Sequence, residues 1–264
     1  TTCHCQQLSW AADQKTLYRE LDTSTLQDGK IRTAIHDRWN AIKDKTGNDS
    51  ILTVYLGVEL DKSFFGEIAS EHFFYTPNRR GQSAAGPWPA TGDETAVKAW
   101  LTDFFRLTTY EIAIPVLRDA SLAPEGKTGL IVSVLFDYGL TKAIYNAGWY
   151  DEFTKFAEEQ ITRVLDDSIY PGLAQAIVQR FSATPLTIER YSGNADGAIT
   201  GWAFTNQPMP AEHRLPKIYS ATKTPIPDIW QAGQWTYSPS GLPISILTGK
   251  LAADAAVKAL DKGK

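Results

Sequence analysis

Residues 224–249 read TPIPDIWQAGQWTYSPSGLPISILTG, and this segment is the most informative part of the chain. It contains a short apolar run, Ile229 to Ala232, which predicts a strand that ends at Gly233. An aromatic, proline-rich loop follows. Gly241 then precedes an apolar pattern that predicts a helix reaching to about Leu260.

A strand, a loop and a helix N-terminus in this order can hold an anionic group against backbone N–H donors that have no partner inside the helix. Gly233 and Gly241 lack a Cβ atom, so a flat ligand can lie against the main chain at both positions. Pro243 suits the first helical turn, where its missing N–H costs nothing. The segment therefore predicts half of a cofactor site, and its other half is not recognisable in this chain.

The composition narrows the classes of partner and compartment. The 264 residues carry 26 Lys and Arg against 30 Asp and Glu, and the resulting net charge of −4 argues against a nucleic-acid partner. No apolar run approaches the roughly 18–20 residues that span a bilayer. We expect a cytoplasmic protein, with peripheral membrane contact and self-association left open.

The sequence offers no recognisable metal site or nucleophile array. Cys3, His4 and Cys5 form a cluster that lacks a fourth ligand, so a frayed terminus explains it better than a metal site. The remaining histidines are too far apart for metal-ligand spacing, and we nominate no catalytic acid or base. The chain starts without Met in what reads as interior sequence, so we expect a fragment.

Hydrophobic periodicity predicts alternating helices and strands. Helices are predicted at 26–45, 94–105, 149–169 and 173–181, and strands at 51–60, 72–76, 108–117, 128–138 and 184–191. Short turns between strands favour an α+β class, with a mainly antiparallel sheet and helices on one face. Residues 229–264 have no sheet of their own, so this strand-loop-helix must dock onto another part of the structure.

Four stretches together resemble the phytoene desaturase and retinol saturase group of FAD-dependent oxidoreductases, in the order and spacing of that family. They are Tyr18–Leu26, Arg118–Gly126, Ala183–Tyr191, and Ala232–Trp235 with Ser240–Pro243. In that family a substrate domain is inserted into a doubly wound FAD domain. The resemblance implies a remnant of the FAD domain or its crossover at 1–21, a substrate-binding domain at 22–228 and a returning flavin-domain segment at 229–264.

The same resemblance implies which residues lie against the cofactor. Those near the pyrophosphate, the ribitol and the N1 and O2 edge of the flavin are Gly233, Gln234, Trp235, Gly241, Leu242, Pro243 and Ile244. The chain departs from the family by lacking the Gly-x-Gly-x-x-Gly element that holds the FAD pyrophosphate. We therefore expect weak or no FAD binding by this chain alone. The missing N-terminal FAD domain would come from the same or another chain.

The implied reaction is hydride transfer between flavin and an apolar polyene or isoprenoid-like substrate, in a desaturase, saturase or isomerase. Aromatic candidates for the substrate site are Phe73, Tyr75, Tyr110 and Trp202, although core packing explains each equally well. Two alternatives are a non-catalytic module that binds lipid or a partner, and one half of a split oxidoreductase. The substrate, the direction of reaction and the electron acceptor stay open.

Overall fold

The computed structural model describes residues 13–262, so the prediction for Cys3, His4 and Cys5 lies outside the described residues. By its internal contacts the chain divides into two compact units. One unit combines the chain up to residue 50 with residues 187–264, and we call it the terminal unit. The other, residues 51–186, is the central unit. The domain boundaries implied by the family resemblance stay a prediction.

The described chain contains both helices and strands. The helices are Gln14–Glu20 (α1), Gly29–Ile42 (α2), Lys62–Gly66 (α3), Glu94–Leu107 (α4), Tyr138–Asn146 (α5), Tyr150–Asp166 (α6), Pro185–Ser192 (α7), Ile218–Ala221 (α8) and Leu242–Lys262 (α9). The strands are Ser50–Val58 (β1), His72–Tyr75 (β2), Tyr110–Ala113 (β3), Thr128–Phe136 (β4) and Ile177–Ala183 (β5).

The five strands form one antiparallel sheet in the order β2-β3-β4-β1-β5. The register places Phe73 opposite Ile112, and Ile112 opposite Val132. At the other edge Tyr55 lies opposite Phe181. The predicted α+β class with a mainly antiparallel sheet is confirmed, whereas the completion of a doubly wound flavin domain by residues 229–264 stays a prediction.

One face of the sheet carries the core of the central unit. Alternate residues of β4, including Leu130, Val132 and Val134, are buried, while Gly129 and Leu135 between them are exposed. The buried side chains pack with one stripe each of α4, α5 and α6. Each such side chain contributes about 1.5–3 kcal/mol by leaving water. The alternation of the strands therefore places the helices on a single face, as predicted.

Four helices, α1, α3, α5 and α8, were absent from the sequence interpretation, and two of them, α1 and α5, show how an aspartate cap starts a helix. The Asp137 carboxylate accepts the N–H of Leu140 at 2.6 Å where α5 begins. The Asp13 carboxylate accepts the N–H of Thr16 at 2.9 Å where α1 begins. An aspartate in this position satisfies a first-turn donor that the helix itself leaves unpaired.

Around residue 180, the sequence interpretation predicted a helix where the structure has a strand, and then a strand where it has a helix. The helix predicted at 173–181 is a short 3-10 turn followed by β5, and the strand predicted at 184–191 is the helix α7. Ile177 to Ala183 pairs along β1, which a helix could not do. Pro185 is the first residue of α7, where its fixed φ angle favours a helix start.

Two predicted strands are shorter than the periodicity suggests. The strand predicted at 108–117 is β3 alone, because Pro115 opens a 3-10 helix that ends the pairing. The strand predicted at 229–232 is reduced to one bridge between Trp230 and Lys223. A strand needs a row of neighbours to satisfy its backbone, and this segment meets a single one.

The terminal unit has its own core, built from both ends of the chain. Tyr18 on α1 and Ile35 and Ile42 on α2 pack with Trp202 and Trp235 from the later segment. The two indole rings meet edge to face, with centroids 4.9 Å apart. This core fixes the loop that precedes α9.

Candidate functional site

The loop from Gly233 to Gly241 is held firmly within the terminal unit. The Trp235 carbonyl accepts hydrogen bonds from the side chains of Gln14 and Trp202, each at 3.0 Å. A Cβ atom on Gly201, whose φ is +78°, would lie 2.2 Å from the Gln234 carbonyl oxygen. Only glycine therefore allows the loop to approach this closely. The backbone that the sequence predicts to hold a cofactor is thus preorganised.

Gly233 and Gly241 leave the main chain open at both ends of this loop. Gly233 has a φ of +95°, and a Cβ atom there would meet nothing within 4 Å. A Cβ atom on Gly241 would have only Pro243 Cδ near it, at 3.9 Å. The Gly233 N–H is already donated to the Thr248 hydroxyl at 3.1 Å. Gly233 thus offers open space beside the backbone rather than a free donor.

The start of α9 carries unused polar groups. Helix geometry leaves the first-turn N–H groups of Leu242 and Ile244 without an intrahelical partner, and Pro243 between them has none to satisfy. Among the described residues, the buried Ser240 hydroxyl has no hydrogen-bond partner. Backbone N–H donors at the positive end of a helix favour a negatively charged group.

The side chains of Gln234 and Trp235, which are also predicted to contact the cofactor, form hydrogen bonds that hold the loop in the terminal unit. Gln234 Nε2 donates to the Ala198 carbonyl at 3.2 Å, and the Trp235 indole N–H donates to Asn194 Oδ1 at 3.1 Å. Trp235 is only 5% exposed. These contacts support the position of Gly233 and Gly241, and a direct cofactor contact by either side chain stays a prediction.

The four predicted substrate residues lie in packed surroundings. Phe73 and Tyr75 on β2 point to the covered face of the sheet and pack against its core. Tyr110 is buried, donates its hydroxyl proton to the Phe105 carbonyl at 2.5 Å, and has a pKa that burial raises above the usual range. Trp202 is buried in the terminal unit. Packing accounts for all four positions, and their role as substrate contacts stays a prediction.

The sequence interpretation missed an apolar depression on the opposite, open sheet face of the central unit. By the open sheet face we mean the surface that carries Phe74, Tyr55, Ile131, Leu135 and Phe181. The depression has a volume of about 250 Å³. It is lined by Tyr55, Leu56, Gly57, Pro115, Val116, Leu122, Gly129, Leu130, Ile131, Gln179 and Phe181.

Two glycines and an aromatic pair give the depression its shape. The rings of Tyr55 and Phe181 stack with centroids 4.8 Å apart and an interplanar angle of 14°. Gly57 on β1 and Gly129 on β4 place no side chain on the open sheet face, and a Cβ atom on Gly129 would meet nothing within 4 Å. The signal was present in the sequence, since glycine alternates with aromatic or branched residues on both strands.

Acidic and histidine side chains in the described part of the chain form no group of three that could bind a metal ion. His72 instead contacts Glu111 across β2 and β3, with Nε2 and Oε1 2.8 Å apart at the surface. Within residues 13–262, no helix combines the length and apolar character needed to cross a bilayer.

Comparison with known proteins finds similar proteins named 4,4'-diapophytoene desaturase. The chain is 29% identical over 154 residues to 4,4'-diapophytoene desaturases (4,4'-diaponeurosporene-forming) of Staphylococcus aureus strains Newman, USA300 and NCTC 8325 / PS 47. Each match covers 58% of this chain and 29% of the relative. No family model matches the chain. The match to these desaturases confirms the resemblance to the phytoene desaturase-like family that the four sequence motifs predict.

Proposed function

We propose that this chain is the substrate-binding and flavin-closing part of an FAD-dependent oxidoreductase that acts by hydride transfer on an apolar, polyene-like substrate. The observation that carries the proposal is the apolar depression on the open sheet face, in a chain whose curated relatives are named desaturases of 4,4'-diapophytoene. Those relatives are matched over only 29% of their length, so the activity of the complete enzyme is part of the proposal.

The open sheet face suits an extended apolar ligand. Large apolar side chains stand exposed along it, with Phe74 68% exposed at one edge and Leu135 and Phe181 about half exposed further along. Pockets for compact small molecules are commonly about 300–1,000 Å³. The depression, at about 250 Å³, is smaller, so it would hold one segment of a long chain while the remainder lies along the sheet.

The loop and helix start in the terminal unit suit the flavin end of the cofactor. Gly233 and Gly241 leave room for a flat ring beside the main chain, and the Ser240 hydroxyl is unused among the residues described. Bound FAD would supply the site that accepts or donates hydride. The N-terminus of α9 would stabilise negative charge on it by about 0.3–1 kcal/mol, or more where water is excluded.

The helix α9 presents an apolar stripe that suits the rest of a flavin domain. Leu242, Ile246, Val257 and Leu260 fall on one side of the helix and are exposed. Contiguous apolar surface of this kind usually marks an interface. We propose that the dinucleotide-binding part of the enzyme, from the same or another chain, covers this stripe.

The test of the substrate proposal fills the depression. Gly129→Leu places a side chain in open space on β4, and Gly92→Leu makes the same change at an exposed loop position of the same unit with nothing within 4 Å. We expect Gly129→Leu to weaken binding of the fluorescent polyene parinaric acid, measured by fluorescence titration, while Gly92→Leu leaves it unchanged. Equal binding by both variants, or no saturable binding by the unaltered chain, would remove the open sheet face as the substrate site.

A further inference from the structure

A second cavity, in the terminal unit, differs from the apolar depression in both charge and lining. Its volume is about 430 Å³, within the range of small-molecule sites, which is about 300–1,000 Å³. Its polar lining includes Tyr18, Arg38, Glu212, Arg214, Lys223 and Thr236. We call it the basic cavity. None of the seven residues predicted to contact FAD lines it.

The lining is positively charged although the whole chain is acidic. Three cations, Arg38, Arg214 and Lys223, face one carboxylate, Glu212, whereas the chain carries a net charge of −4. The Glu212 carboxylate is already paired with Arg214, because its oxygens accept two hydrogen bonds from the Arg214 guanidinium at 2.8 and 3.0 Å. They also accept the backbone N–H groups of His213 and Arg214. The charge that remains in the cavity is therefore that of Arg38 and Lys223.

Arg38 is held in place by neutral groups alone. Its guanidinium donates to the Pro210 carbonyl at 2.7 Å and to the Gln14 side-chain oxygen. Within the described structure, no carboxylate lies within ion-pair distance of Arg38 or Lys223. Burial lowers the pKa of Arg38, as expected for a cation that has lost water without gaining a counter-ion. A half-buried charge in this state favours an anionic ligand.

Thr236 supplies an independent sign of a ligand. The residue is 2% exposed and lines the cavity, and its hydroxyl has no hydrogen-bond partner among residues 13–262. Buried hydroxyl groups are ordinarily paired, since an unpaired one costs free energy. This hydroxyl has almost no accessible surface, so a ligand oxygen in the basic cavity would satisfy it once the Thr236 side chain turns toward the cavity.

We propose that the basic cavity binds a small molecule through a phosphate monoester group. Arg38 and Lys223 match its charge of about −1.5 to −2 at neutral pH, and Thr236 donates a hydrogen bond to one of its oxygens. The cavity volume exceeds what one phosphate fills, so the ligand carries an organic part as well. This site is separate from the flavin and polyene sites proposed above.

The experiment is a calorimetric titration of the complete chain with inorganic phosphate and with glycerol 3-phosphate as the monoester probe. Lys223→Gln alters an exposed side chain whose ammonium lies 5.8 Å from the centroid of the Tyr219 ring, and Thr236→Val keeps the shape of the buried residue. Arg190→Gln removes an exposed arginine elsewhere and serves as the matched control. We expect saturable binding of both probes, weakened about tenfold or more by Lys223→Gln and several-fold by Thr236→Val, with no change in the control.

The outcomes separate the sources of the phosphate group. The competition is run with an added chain that carries the Gly-x-Gly-x-x-Gly element, so that FAD can bind. Binding of glycerol 3-phosphate that FAD then does not displace supports a monoester site distinct from the flavin site. Competitive displacement by FAD would assign the oxygens to the diphosphate of the cofactor and overturn the monoester assignment. No saturable binding, or equal binding by the wild type and both variants, would overturn the site altogether. None of these outcomes depends on polyene binding, so the two proposals fail separately.

Discussion

Two buried tyrosines of the central unit differ in whether their hydroxyl groups have a partner. The Tyr110 hydroxyl donates to the Phe105 carbonyl, whereas the Tyr170 hydroxyl has no partner in the described part of the chain. Burial raises the pKa of Tyr170 to about 12, so both groups are neutral at physiological pH. Their hydroxyl groups therefore contribute to stability with opposite sign.

We expect the same substitution to have opposite effects at these two positions. Tyr170→Phe removes an unpaired buried hydroxyl and should raise the free energy of unfolding by about 1 kcal/mol, whereas Tyr110→Phe removes a hydrogen bond and should lower it by about 1 kcal/mol. Urea denaturation of the two variants and the wild type measures both changes. Destabilisation by Tyr170→Phe as large as that by Tyr110→Phe would show that the Tyr170 hydroxyl has a partner.

The Glu212–Arg214 pair predicts a pH dependence at the rim of the basic cavity. Hydrogen bonds from the Arg214 side chain, and then from its backbone N–H, lower the pKa of Glu212 from 4.5 to about 2. Because the folded-state pKa is depressed, the stabilisation is complete above about pH 4.5 and is lost as the pH falls through about 2.

We expect Arg214→Gln to raise the pKa of Glu212 towards its ordinary value, measured by carbon-detected NMR titration of the carboxyl group. The stability difference from wild type should be present near neutral pH and should shrink as the pH falls from about 4.5 to about 2. Arg190→Gln, at an exposed arginine away from this pair, should leave the titration unchanged. A Glu212 titration that is the same in wild type and Arg214→Gln would refute the pairing.

Among helices and strands, sequence periodicity located the long segments well. It gave the wrong type of element where a short strand and a short helix follow one another. The helix α6 and the strands β1 and β4 follow from periodicity, because each buries one continuous face. Between 173 and 191, the helix predicted at 173–181 and the strand predicted at 184–191 were both wrong. Residues 177–183 form a strand because they pair with β1. Residues 185–192 form a helix because Pro185 favours a helix start. The spacing of apolar residues within one segment does not reveal which strand that segment will pair with.

The candidate site shows the same division between local and tertiary information. The open glycines of the loop from Gly233 to Gly241 could be identified from the sequence, because the residues that make up this loop are consecutive. For the apolar depression the sequence carried only the glycine alternation within single strands, because β1, β4 and β5 and the 3-10 helix at Pro115 meet there only through the sheet order. The basic cavity likewise gathers Arg38 and Lys223 from distant parts of the sequence.

The exposed stripe of α9 predicts self-association when nothing else covers it. We expect the double variant Ile246→Glu and Val257→Glu to shift the chain towards monomer in sedimentation velocity, because it places two charges on the apolar stripe. Lys258→Glu adds a like charge to an exposed position off the stripe and should leave the association unchanged. An identical distribution of species in all three proteins would show that α9 is not the contact.

For the chain as a whole, we expect the proposed cofactor site to be incomplete. We expect little or no FAD binding by the chain alone, because no Gly-x-Gly-x-x-Gly element is present to hold the pyrophosphate. The measurement is a titration followed by flavin fluorescence and the visible absorption band, repeated with an added chain that carries that element. Binding restored by the added chain supports the proposal. Tight, stoichiometric binding without it would contradict the incomplete site.

The terminal unit is assembled from both ends of the described chain, with residues 51–186 between them. During synthesis, Ile35 and Ile42 therefore leave the ribosome long before Trp202 and Trp235, the residues with which they pack. At about 5–20 residues per second, the intervening 136 residues take about 7–27 s to make. For at least that interval the part of α2 that packs against Trp202 and Trp235 lacks those two partners, and we expect it to be open to a nascent-chain chaperone.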